Sequence, residues 1–146
     1  MPLFDYFRAP DRESVLRALA ASGGHSPVPA PFDGLDAKGV DPAVVLGKVI
    51  AAIEQVPWSM ELVPQELIFP AQPDGDGPWV IELSASARDS LAGADDAPRV
   101  AREWSQIEEL GGAISVEDTQ AFVAAMIGLA GRAREHNELL YCWCCL

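Results

Sequence analysis

Leu139-Leu140-Tyr141-Cys142-Trp143-Cys144-Cys145-Leu146 carries no charge, two large aromatics and all three cysteines of the chain. A short, uncharged apolar run of this kind, with two large aromatics, reads first as a buried strand. Alternate residues of a strand face opposite sides, so Cys142 and Cys144 share one face while Trp143 and Cys145 share the other. A metal centre needs three or four convergent ligands. Two thiolates plus His136, which lies across a helix-to-strand junction, fall short, although a soft ion such as Cu(I) accepts two thiolates. Free cysteine is among the most buried residue types, so the expectation is of small hydrophobes in a core strand, with no metal and no cofactor. A Cys144–Cys145 disulfide would need a distorted backbone. Prenylation needs an exposed tail and usually basic residues upstream, whereas Glu135 and Glu138 are acidic.

Ahead of this strand, Phe122, Val123, Met126, Ile127, Leu129 and Ala130 recur at helical spacing. Their wide apolar face predicts the most buried helix of the fold. Ser115 with Asp118 resembles a capping box, and Glu117, Asp118, Arg132 and Arg134 match the helix dipole. His136-Asn137 ends the helix. A preceding helix is capped by Asp96, turns Val100, Trp104, Ile107 and Ala101 inward, pairs Arg99 with Glu103 outside, and ends at Gly111-Gly112. A short helix is expected near Ser86–Leu91. Strands are expected at Glu66–Phe69 and Trp79–Leu83, joined by a turn from Pro70 to Pro78. Asp41-Pro42 starts a helix carrying Val45, Val49, Ala52, Ile53 and Val56 inward, and Pro57 stops it. His25 to Gly39 reads as a loop without apolar period. Leu3–Phe7 reads as a strand, and Asp11 caps a helix with Val15, Leu16 and Leu19 inward that Gly23-Gly24 ends.

The order β-α-loop-α-β-β-α-α-α-β does not alternate regularly. It predicts an α+β fold in one domain spanning 1–146. The sheet is small, mostly antiparallel, includes the N- and C-terminal strands and packs against about five helices. A chain of 146 residues, 49% apolar, with mean hydropathy +0.11, buries enough surface to fold without disulfides or a structural metal.

The net charge of −12 opposes binding to nucleic acid or anionic membranes and speeds encounter with a basic protein partner. Met1-Pro2-Leu3-Phe4-Asp5 lacks a signal-peptide pattern and no stretch is long enough to span a membrane, which with the cysteine usage predicts a reducing cytoplasm. Only Lys38 and Lys48 are lysines, while Ala, Arg, Gly and Pro abound, a usage typical of GC-rich bacterial genomes.

Candidate chemistry is sparse. His25 and His136 are the two histidines, and neither sits in a nucleophile, zinc or phosphate motif. Asp74-Gly75-Asp76-Gly77 is too short for an EF-hand and reads as a hairpin turn. Asp95 and Asp96 sit at a helix start, where negative charge is stabilising in itself. Glu108, beside Glu109, falls at the edge of an apolar helix face, where a carboxylate either lines a cleft or extends its head to water. Trp58, in Val56-Pro57-Trp58-Ser59, either anchors a partner or covers the edge of the core. Trp58, Asp95, Asp96, Glu108 and Glu109 are therefore the candidate binding residues, with no catalytic set.

Pro2-Leu3-Phe4-Asp5-Tyr6-Phe7 with its following helix, and the segment Phe122 through Tyr141, resemble the YfbM-like family of small bacterial proteins, also known as DUF1877. The resemblance covers about a third of the chain. It implies an α+β fold and assigns no catalytic residue. The chain departs from that pattern in lacking Trp and His between Pro42 and Val56, and in its Cys142-Trp143-Cys144-Cys145 ending. The functional expectation is a small, acidic, cytoplasmic protein-binding protein without catalysis, such as a bacterial immunity protein that neutralises a toxin. The alternative is an enzyme, or a small-ligand or metal-binding protein, with a cleft at Glu108, His136 or the C-terminal cysteines. A subunit that needs a second copy to cover apolar surface is a third reading.

Overall fold

The cysteine-bearing segment is the central strand of the sheet. In the structure, a computed structural model describing residues 3–37, 39–70, 77–104 and 116–145, β5 (Leu139–Cys145) lies between β1 (Leu3–Ala9) and β4 (Trp79–Leu83). Both neighbours are antiparallel to it, with Cys142 opposite Tyr6 on one side and Ile81 on the other. β2 (Gly34–Asp36) flanks β1 and β3 (Gln65–Phe69) flanks β4, giving the antiparallel order β2-β1-β5-β4-β3.

The two faces of β5 feed two cores, as the period of two requires. Leu140, Cys142 and Cys144 join the larger core, beneath α2 (Val45–Glu54), α3 (Ala85–Ala92), α4 (Ala97–Trp104) and α5 (Val116–Glu135). Tyr141, Trp143 and Cys145 join the smaller one, where Val15 and Leu19 of α1 (Arg12–Ser22) cover the opposite face. This is the α+β arrangement that the pattern predicted. α5 buries Val123, Met126, Leu129, Ala130 and Ala133, with Phe122 stacked on Trp104 at 5.0 Å. Past its end at Glu135 the chain turns through Asn137 (φ 55), and Glu138 N–H donates to Ala133 O at 2.8 Å, the long closing bond of a left-handed helix terminus.

Four local expectations need correction. The stretch from His25 to Gly39 contains a strand, β2. Its three residues are too few to show a period, and Gly34 is needed because a Cβ there would run into Tyr6 O and lie 2.8 Å from Phe7 Cβ. Leu16 is not inward but 39% exposed, since Val15 and Leu19, one turn apart, take the buried stripe of α1. The second helix begins at Val45, after a turn. Asp41 accepts from Ala43, Val44 and Val45 N–H at 3.1, 2.8 and 3.1 Å, and that carboxylate closes the turn before the helix starts. Val56 lies past the left-handed Gln55 terminus (φ 57) and is exposed. Asp96 does cap α4, accepting from Arg99 N–H at 3.1 Å. The expected turn at Asp74–Asp76, Ile107, Gly111-Gly112 and the Ser115 cap lie outside the described residues. Among the described residues, no helix is long and apolar enough to cross a membrane.

Candidate functional site

Two helix ends and one helix start converge on the side of the molecule away from α1. The last turn of α2 supplies Ile53 and Glu54. α3 stops at Gly93, whose N–H returns to Asp89 O and Leu91 O, and Asp95-Asp96 then lead into α4. Between them is a cleft of about 180 Å³ lined by Glu54, Asp89, Asp95 and Asp96, with Arg99 at its wall. The Arg99 guanidinium ties the walls together. Its Nη1 donates to Ala52 O at 3.0 Å and to Glu103 Oε2 at 3.1 Å, and its Nε stands 3.6 Å from Asp96 Oδ2. Arg88 Nε meets Asp89 at 3.0 Å from outside the cleft. Four carboxylates against Arg99 in the wall and Arg88 outside it leave the lining net negative, and the opening can accept a cationic group. A wider apolar hollow is formed in part by Leu19, Phe69, Pro70 and Pro78, with no ionisable side chain among the described residues that line it.

The sequence-derived candidates separate in space. Asp95 and Asp96 both line the cleft, and Glu54 and Asp89 join them from elements that sequence spacing does not connect. Trp58 packs at the other end of α2. Its Nε1 donates to Ala43 O at 3.1 Å, and its ring leans on Gly47, where a Cβ would stand 2.7 Å from Nε1. Lys48 Nζ lies over the indole at 5.7 Å. At ~1.5 Å per residue, Gly47 and Glu54 are about 10 Å apart along the helix, so Trp58 does not border the cleft. Glu108 and Glu109 lie outside the described residues.

The C-terminal strand turns two of its three thiols into the larger core. Cys142 and Cys144 place their Sγ atoms 3.6 Å apart, but they are 0% and 4% exposed. Burial first, and the neighbouring Cys144 thiol next, push the Cys142 thiol well up. Burial and the raised ionisation of Cys142 both disfavour the thiolate, the form that attacks or binds metal. Tyr6, beside Cys142, donates its hydroxyl to Val40 O at 2.6 Å, and burial pushes its ionisation up as well. His136 is exposed at the end of α5 with Nδ1 2.8 Å from Arg132 O, so it does not meet the thiols. Among the described residues, no group of three or more His, Cys, Asp or Glu is placed to hold a metal ion.

Two ion-pair clusters were not legible from the sequence. Arg12 forks onto Glu82 at 2.9 and 2.8 Å and also reaches Glu66, while Tyr141 donates to Glu82 at 3.1 Å. The Arg12 hydrogen bonds hold the Glu82 carboxyl below its usual range, against the upward push of burial. The Tyr141 hydroxyl is pushed up by burial and by the Glu82 charge. Arg8 links Asp33 and Glu138, and Arg132 also holds Asp33 at 2.8 Å. Their carboxylates are engaged by arginines, so these clusters clamp elements together. A scan against protein-family models, a search of curated proteins and a search of solved structures gave no match to this chain.

Proposed function

We propose that this is a non-catalytic, cytoplasmic binding protein that docks a basic protein partner through the carboxylate-lined cleft. The observation that carries the reading is the gathering of Glu54, Asp89, Asp95 and Asp96 on one opening of a chain whose net charge is −12. Such a field raises association rates with a cationic surface and gives the complex its orientation. An immunity protein that shields a basic bacterial toxin fits this chemistry. The buried thiols and the arginine-locked carboxylates support the absence of catalysis, because no side chain among them is poised to exchange a proton or attack a substrate. The resemblance to the YfbM-like family enters this proposal as fold only.

Capture of the products of neighbouring genes at low and at high salt tests the reading. A basic partner retained at low salt and released at high salt is the expected result. A partner held equally at both salts, or no protein partner at all, removes the electrostatic proposal. Asp95→Asn with Asp96→Asn weakens retention if the cleft is the contact, while Asn at the second position still caps α4.

A further inference from the structure

We infer that the Cys142 and Cys144 pair makes this fold sensitive to redox state: joined as a disulfide, the two residues no longer fit a central strand, so their oxidation works against folding. The inference is independent of the binding proposal. The two Sγ atoms stand 3.6 Å apart on the face of β5 that joins the larger core, while Cys145 belongs to the smaller one. That separation invites closure, but the backbone sets the limit. Two steps along a strand cover about 6.7 Å, and the Cβ atoms of alternate residues point the same way, so they too are roughly 6.7 Å apart. A disulfide needs Cβ atoms about 3.5–4.5 Å apart. The sulfurs approach only because the side chains lean towards each other, and closing the bond requires the Cβ atoms to come together by a further ~2 Å.

β5 cannot contract by that much and stay paired. Cys142 lies opposite Tyr6 and Ile81, and Cys144 opposite Phe4 and Trp79. Shortening the strand between them pulls one residue out of both ladders and leaves backbone groups unpaired inside the sheet. Tyr6 cannot follow, because its hydroxyl is bonded to Val40 O. In the unfolded chain these restraints are absent. One thiolate attacks a low-molecular-weight disulfide such as oxidised glutathione and releases one glutathione. The second thiolate then attacks the protein sulfur of the mixed disulfide and releases the other. One S–S bond is broken and one is formed, and the two protein thiol protons end on the two glutathiones. A disulfide that fits the native geometry stabilises a fold; here the sign is reversed.

The full chain carrying Cys145→Ser, in which Cys142 and Cys144 are the only thiols, is oxidised in urea with oxidised glutathione at low protein concentration. Mass spectrometry verifies the loss of two hydrogens with no glutathione attached. Urea titrations of the oxidised and the reduced forms are then compared by tryptophan fluorescence and circular dichroism. The oxidised form is expected to unfold at a lower midpoint, with a folded-to-unfolded ratio at least about tenfold smaller at the same urea concentration, and dithiothreitol is expected to restore the reduced curve. If Cys145→Ser does not fold when reduced, the unsubstituted chain carries the same comparison, on the isomer whose 142–144 bond is located by peptide mass. An unchanged or raised midpoint overturns the inference. So does ready formation of the bond in the folded protein without loss of the fold, or failure of the two thiols to join in the unfolded chain.

Discussion

Treatment of the native protein with an aromatic disulfide reagent at mildly alkaline pH should modify one thiol promptly and two only very slowly. Cys145 is half-buried at the end of β5, whereas Cys142 and Cys144 are buried on the face of the central strand beneath four helices. No side-chain motion exposes them. Reagent reaches them only when β5 leaves the sheet, and β5 joins β1 to β4, so that opening amounts to global unfolding. With a domain stability of about 5 kcal/mol or more, and a factor of ten for every ~1.4 kcal/mol, the two inner thiols should react at least about 10³-fold more slowly than a free thiol. The assay is absorbance of the released thiolate with and without denaturant, with mass mapping of the modified cysteine. Cysteine variants at 142 and 144 assign the phases. Two or three equivalents released within seconds from the folded protein would refute the buried-strand argument and restore C-terminal thiol chemistry.

Three further outcomes follow from the geometry. Gly34→Ala should cost about 1–3 kcal/mol by overpacking, because its Cβ would meet the Tyr6 carbonyl and lie 2.8 Å from Phe7 Cβ and 2.9 Å from Val28 Cγ2. Gly131→Ala, with nothing within 4 Å, should instead gain up to about 1 kcal/mol of helix stability, and urea titration compares the two. Glu82→Gln should lower stability by about 1 kcal/mol near neutral pH. Because the folded Glu82 carboxyl is held below its usual range, its contribution is fully present above the unfolded value of about 4.3. It disappears as pH falls through the lower folded value, so denaturation curves of wild type and variant should converge in acid. Asp96→Ala should cost about 1 kcal/mol through loss of the α4 cap and Asp96→Asn only a small fraction of that, a difference readable in thermal midpoints.

Alternation and helical spacing carried most of the architecture. β5 was legible because a central strand buried on both faces must be apolar throughout, and α5 because its inner positions repeat every turn. β2 was invisible, since Gly34-Leu35-Asp36 owes its strand to the free edge of β1 rather than to any pattern of its own. Leu16 and Val56 misled because an apolar residue at helical spacing need not lie on the buried stripe or inside the helix. Half of the acidic cleft could be read locally, as Asp95 and Asp96 announce a helix start. Glu54 and Asp89 reach it only through the packing of three helices, secured by Arg99 on Ala52 O. The arginine clamps were equally hidden, their partners lying 25 to 130 residues apart in the chain. Trp58 was read as either anchor or cover, and its bond to Ala43 O and its nearness to Gly47, set by contacts 15 and 11 residues back in the chain, could not be read from its own segment.

The position of β5 in the sheet also governs when the fold can close. Among the described elements this strand comes last in chain order, yet β1 and β4 meet only through it. Until it pairs, the β1–β2 pair and the β3–β4 hairpin stay separate pieces with unsatisfied edges. The decisive step of folding is therefore dominated by contacts distant in sequence, and slow by the standards of helical proteins of this size.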